Sequence, residues 1–285
     1  MFSHYLKISF RNMRKYKNQT LISVIGLAVG FTCFAMAMLW IRYEMTFDSF
    51  HKNAKQIYVV YRPNVFQVNG YERNTAYRMP SYLKETFPEI VNAIPLYPSS
   101  STVTVEDTDF PVLTIQADTS FFRIFDVKIH EGSRDFLIPG SNKLAITQER
   151  TRQLFGNENP IGKTIRLRNN EFLVCAIVSD LPKRSNYTFD LIQPFSESMA
   201  SRQNLGSYDT HTIIELFPGT NIEAFEKKLY DHNIIISETN TLNKLIIIPI
   251  TKLRFTDPNI KREIKFQHIM IFAVSGILVG QTHEI

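Results

Sequence analysis

From Leu21 to Ile41 the chain reads LISVIGLAVGFTCFAMAMLWI, 21 residues without one charged side chain. At 1.5 Å per residue this makes about 32 Å of helix, enough to cross a hydrocarbon core about 30 Å thick. A segment in lipid must satisfy its own backbone N–H and C=O groups, so a single span has to be helical. Trp40 and Tyr43 stand where an aromatic belt would lie.

The flanks of this run are unequal. Lys7, Arg11, Arg14, Lys15 and Lys17 precede it with no acid among them, and Arg42, Glu44 and Asp48 follow it. The excess of basic residues predicts a cytoplasmic N-terminus and an outer location from residue 42 onward. Ala35-Met36-Ala37 resembles a signal-peptide cleavage site. The long basic region and the continuation of the run through Trp40 and Ile41 favour a retained helix instead. At 100° per residue, Phe2, Leu6, Phe10, Met13 and Tyr16 share one face, with Lys7, Arg11, Arg14 and Lys15 opposite. This predicts an amphipathic helix on the inner leaflet, its basic face toward the headgroups.

Charge separates the tail from the rest. Five of the 32 basic residues lie in the first 20 positions, leaving 27 against 27 acidic residues. A neutral body with a basic, membrane-adjacent tail argues for a bilayer and against nucleic acid as partner. Cys33 falls in the apolar run and Cys175 in an expected strand, which predicts no disulfide framework.

Between residues 44 and 264 the sequence alternates like a folded domain. QIYVVYR, STVTVED, FPVLTIQAD, KLAIT, TIRLR, FLVCAIV, TIIELF and LIIIPI read as strands. MPSYLKETFPEI, TQERTRQLF and NIEAFEKKLYDH read as helices, the last with Asn221 as its cap. TIIELF, the Asn221 helix and LIIIPI form a strand–helix–strand unit. The expected class is α+β: a βαβ subdomain made from early and late segments, with a strand-rich insertion between them. Further on, FQHIMIFAVSGILVG (residues 266–280) starts like a second membrane helix but is too short to span comfortably. The expectation is the front part of a longer membrane protein. A buried C-terminal helix and a helix completed by a partner are the alternatives.

The catalytic and binding signatures are weak. FGNENPIGKT ends like a phosphate loop, but five residues separate Gly156 from Gly162 where a Walker A loop has four. A helix precedes the stretch and a strand follows it, the reverse of a P-loop. The seven histidines lack i, i+4 metal spacing. Ser207, Asp209 and His211 resemble a triad only in one dimension, without a nucleophile elbow. Phe121, Phe122 and Phe125 read as core. No cofactor is expected.

Several stretches do carry a resemblance. LKISFRNMRKYKNQT, the apolar run and RYEMTFDSFHKNAKQIYVVYR together resemble the start of permeases of the MacB/FtsX-like ABC transporter family. SFFRIFDVKIHEGS, TQERTRQLFGNENPIGKTIRL and EFLVCAIVSDLPKRSNYTFDLIQPF resemble motifs of its periplasmic core. Phe155, Gly156, Pro160, Gly162 and Lys163 then belong to a family turn rather than a phosphate site. The resemblance implies a basic amphipathic helix over residues 1–20 and a first transmembrane helix over 21–43. A periplasmic core over 44–264 and the start of a second membrane helix over 265–280 would follow. It also implies a non-catalytic inner-membrane permease that relays the motion of a separate cytoplasmic ABC ATPase, acts as a dimer and meets a periplasmic partner or substrate. The rival is the extracytoplasmic sensor domain of a receptor or histidine kinase, which has the same layout.

Overall fold

The computed structural model describes residues 11–64, 66–67, 70–105, 108–237 and 240–256. Lys7 and the apolar stretch 266–280 lie outside them. Helix α1 runs from Lys17 to Met45 and is, among the described residues, the one helix long and apolar enough to cross a membrane. Its large side chains are uncovered, Ile22 and Leu27 being 72% and 75% exposed. A core helix of a soluble protein would bury such residues. Thr46–Lys261 forms a compact unit of its own.

That unit begins with β1 (Ile57–Pro63), the short β2 (Tyr71–Glu72) and β3 (Asn74–Thr75), and helix α2 (Met79–Thr86). Pro80 opens α2, where its missing N–H costs nothing. The helix expected over MPSYLKETFPEI is shorter than its pattern. Phe87 precedes Pro88, and a residue before proline is pushed out of the α region; it adopts φ −116° and ψ 106°.

β4 follows as a 16-residue strand (Ile90–Val105), then β5 (Thr108–Ala117). Sequence alternation marks only the second half of β4, because Pro95 and Pro98 look like strand breakers. Both are nonetheless strand residues, opposite Thr212 and Ile115. Next come α3 (Phe121–Ile124), β6 (Ile129–Gly132), β7 (Lys143–Thr147) and α4 (Gln148–Phe155). β8 (Thr164–Leu167), β9 (Asn170–Val178), β10 (Leu191–Pro194) and α5 (Glu197–Ala200) continue the chain. β11 (Thr210–Leu216), α6 (Ile222–Asp231), β12 (Ile234–Ser237), β13 (Asn240–Leu242), β14 (Ile246–Pro249) and α7 (Leu253–Thr256) complete the described part.

Early and late segments share one sheet, in the order β14-β1-β11-β4. β1 is antiparallel to both β11 and β14, pairing Ile57 with Glu215 and Val59 with Ile248. β11 and β14 are therefore parallel, linked by α6, with the first strand of the body between them. The uninterrupted IYVVY run suits a strand buried on both faces. Tyr58 and Val60 pack with Leu83 of α2 and with Phe225 and Leu229 of α6. Ile57, Val59 and Tyr61 face the other way, into a core holding Phe121, Phe125 and Phe189.

The inserted strands close on themselves. β4 pairs β5, β5 pairs β10, β10 pairs β7, β7 pairs β9, β9 pairs β8, and β8 returns to β4. All six strands of this small barrel contribute to one apolar cluster: Val103, Val112, Leu144, Ile146, Ile165, Leu167, Val174 and Leu191. Closure removes the unpaired edges that an open insertion would leave. β4 belongs to both parts: Ile90–Leu96 pairs with β11, and Tyr97–Val105 with β5.

Candidate functional site

The residues just after α1 form the first candidate. Asp48 is fully buried with φ 51°, and its N–H donates to the carbonyl of Arg184 at 2.9 Å. Its carboxylate accepts from Ser185 Oγ at 2.7 Å, from the Asn186 N–H at 3.1 Å and from Asn186 Nδ2 at 2.5 Å. Burial raises the Asp48 pKa above the usual carboxylate value, while these hydrogen bonds and Arg254 pull the other way. The guanidinium of Arg254 lies over the Phe47 ring at 4.1 Å. The two ends of the body, Phe47 and Arg254, thus meet beside one buried carboxylate.

His51 completes the cluster. It is buried between the rings of Phe50 and Phe125, with centroids at 4.2 and 5.0 Å. Neither ring nitrogen is hydrogen-bonded among the described residues, and Asp48 Oδ1 is 3.8 Å away. Burial lowers its pKa to about 4 despite the opposing charge of Asp126, so the ring is neutral near pH 7.

FGNENPIGKT forms the second candidate. Thr147 Oγ1 caps α4 by accepting from the Arg150 N–H, and Gly156 ends the helix with φ 61°. Five N–H groups of the turn are already used. Those of Gly156, Glu158 and Lys163 donate to the carbonyls of Arg152, Phe155 and Pro160. Gly162 donates to Val174 O, and Ile161 to Asn159 Oδ1. A phosphate nest needs such groups free and convergent. Lys163 pairs with Glu158 and lies 5.3 Å from the Phe155 ring, and strand β8 follows. Leu154 and Phe155 pack onto the barrel interior, so this turn closes one end of the barrel.

At the other end lies the third candidate, a cavity of about 400 Å³ among Ser99, Ser101, Thr114, Gln116, Gln193 and their neighbours. Its residues come from strands scattered along the chain, so no local motif announces it.

The remaining residues singled out by sequence lie apart. Arg11, Arg14 and Lys15 are exposed in the helical stretch 11–15, with Lys15 Nζ 5.4 Å from the Tyr16 ring. Met13 and Tyr16 are exposed as well. The triad-like residues do not converge, since Asp209 accepts from Arg202 at 2.5 Å while His211 meets the edge of Tyr187. Among the described residues no group of His, Cys, Asp or Glu could hold a metal ion.

Known proteins agree with this architecture. Residues 20–231 match the profile of the MacB-like periplasmic core domain. Among solved structures, a domain of a protein described as a permease, from Porphyromonas gingivalis, is similar with TM-score 0.57 and 17% identity, over 70% of this chain and 92% of that one. The periplasmic region of MacB from Actinobacillus actinomycetemcomitans gives TM-score 0.52 and 16% identity, over 72% and 94%. The extracellular domain of the ABC-type transporter YknZ from Gram-positive bacteria gives 0.51 and 13%, over 67% and 99%. At these identities the three structures speak for the fold. No curated protein matches in sequence. The family profile spans most of the chain, from within α1 to the end of α6, and the chain belongs to the family of MacB-like periplasmic core domains, components of ABC-type transporter permeases.

Proposed function

We propose that this chain is a mechanical element of an ABC transporter permease, which carries ATP-driven motion across the inner membrane to a periplasmic core. The observation that carries this reading is the joint at the start of the body. Helix α1 ends at Met45, and three residues later Asp48 is held by Arg184, Ser185 and Asn186. Thr46 and Phe47 are the only residues between the helix and this anchored carboxylate. Arg254, from the far part of the body's sequence, lies over Phe47 beside the same carboxylate.

In this reading α1 spans the inner membrane with its N-terminus cytoplasmic, and the body lies in the periplasm. The basic face of Lys7, Arg11, Arg14 and Lys15 rests on the inner leaflet, on the side of the ATPase. The domain limits suggested by the sequence, 1–20, 21–43, 44–264 and 265–280, are part of the proposal. So are ATP hydrolysis on a separate subunit, a permease dimer, and a periplasmic partner or substrate of export or lipoprotein type.

The experiment is purification of the tagged protein from its native membranes in mild detergent, followed by mass spectrometry. Co-purification of an ATPase with true Walker motifs is expected. Capture of a signalling kinase without such an ATPase would turn the reading into that of a sensor.

A further inference from the structure

The inward-facing positions of a six-stranded barrel are normally filled by apolar side chains. Here that holds only for half of its length. Along β4 the inward series runs Val105, Val103, Ser101, Ser99, and along β5 it runs Phe110, Val112, Thr114, Gln116. On β10, Leu191 is followed by Gln193, which lies opposite Gln116 in the parallel register. The polar half surrounds the cavity of about 400 Å³. Part of this lining bonds to itself. Thr114 does so, reaching Ser99 Oγ at 2.8 Å. The side-chain amides of buried Gln193, half-buried Gln116 and exposed Asn142 and Asn170 make no hydrogen bond among the described residues and stay open to the cavity.

The rim adds a guanidinium. Arg168 opens the two-residue turn between β8 and β9 with φ 55°, a conformation natural to glycine and strained for arginine. Its Nε donates to Ser101 Oγ at 3.1 Å and its Nη2 to Ser100 O at 3.2 Å, which leaves Nη1 for a ligand. Glu197 stands on the opposite rim, so the charges balance. Half-buried Phe172 supplies a carbon face.

We propose that the polar mouth of the barrel is a binding site for a neutral saccharide. Each free amide offers two donors and an acceptor on one plane, which suits a ring of vicinal hydroxyl or acetamido groups. The balanced rim gives no advantage to an ion. The volume lies within the range of about 300–1,000 Å³ typical of small-ligand sites. Gln116 and Gln193 form the floor, Asn142, Asn170 and Arg168 the rim, and Phe172 takes the C–H face of the ring.

The test uses the whole chain in amine-oxide micelles, since a glycoside detergent would itself compete. N,N′-diacetylchitobiose is titrated and followed by saturation-transfer NMR. Transfer to the ring and acetyl protons is expected, with a dissociation constant on the order of millimolar. Gln193→Leu should weaken binding at least about tenfold. Arg168→Gly should weaken it while relaxing the turn, which separates lost binding from lost folding. No transfer to the disaccharide would mean a merely water-filled mouth and would overturn the proposal. Unchanged binding in both variants would overturn it too, as would displacement of the sugar by triglycine.

Discussion

Ser185 Oγ donates a 2.7 Å hydrogen bond to the carboxylate of Asp48, 137 positions earlier in the chain, and both residues are buried. The backbone and side-chain amides of Asn186 share the same carboxylate. Asp48→Ala leaves Ser185 Oγ and the Asn186 N–H without this acceptor and Asn186 Nδ2 with only the Ile250 carbonyl, so it should lower the stability of the body by about 2–4 kcal/mol. Chemical denaturation reads this directly. An unchanged midpoint would mean that the joint is not anchored through Asp48.

Acidification should destabilise the body through its histidines. Burial lowers the pKa of His51 to about 4 and that of His211 to about 3, with Arg73 adding to the latter. The unfolded chain takes up these protons near pH 6.5, so stability is full above that pH. It falls below it, until His51 charges near 4 and His211 near 3. The slope is at most about 1.4 kcal/mol per pH unit for each ring. In melts between pH 7 and 4, His51→Leu should flatten the curve; a curve of unchanged slope would exclude His51 as the source.

Gly132 adopts φ 90°, and a Cβ built there would lie 2.0 Å from the carbonyl oxygen of Cys175. That neighbour is backbone in β9, which cannot step aside. Gly132→Ala should therefore cost several kcal/mol, on the order of 3 or more, and leave little folded protein at 37 °C. Normal circular dichroism and melting of this variant would contradict the pairing of β6 with β9.

Lys163→Ala removes an exposed ion pair with Glu158, so the thermal midpoint should stay where it is. Millimolar ATP should show no saturable binding, with or without Lys163. Binding lost on this substitution would restore the phosphate-loop reading of FGNENPIGKT.

Phe66 is 94% exposed in the body. In a background with Cys33 and Cys175 replaced by Ser, Phe66→Cys should react with an impermeant maleimide on intact spheroplasts. Labelling seen only after lysis would reverse the proposed orientation.

Features that depend on short-range physics are legible in the residues alone. An uncharged run of 21 residues can be little other than a helix in lipid. Thr147, Asn221 and Gly156 set helix ends because caps act within three residues. The strand–helix–strand unit was legible for the same reason, its period switching from two to 3.6 within one stretch.

Features that depend on register between distant strands arise only when those strands pair. Nothing local in AIPLYPSSS reveals that β4 passes from one sheet into a barrel, since its two prolines read as breakers and only pairing with β11 and β5 makes them strand. The amide-lined mouth is equally hidden. Gln116, Asn142, Asn170 and Gln193 are unremarkable in sequence, and they share a cavity only because six strands close into a ring. The contact of Asp48 with Ser185 has the same origin: a buried carboxylate is tolerable only where donors gather around it, and chain closure over 137 positions, not composition, brings them there.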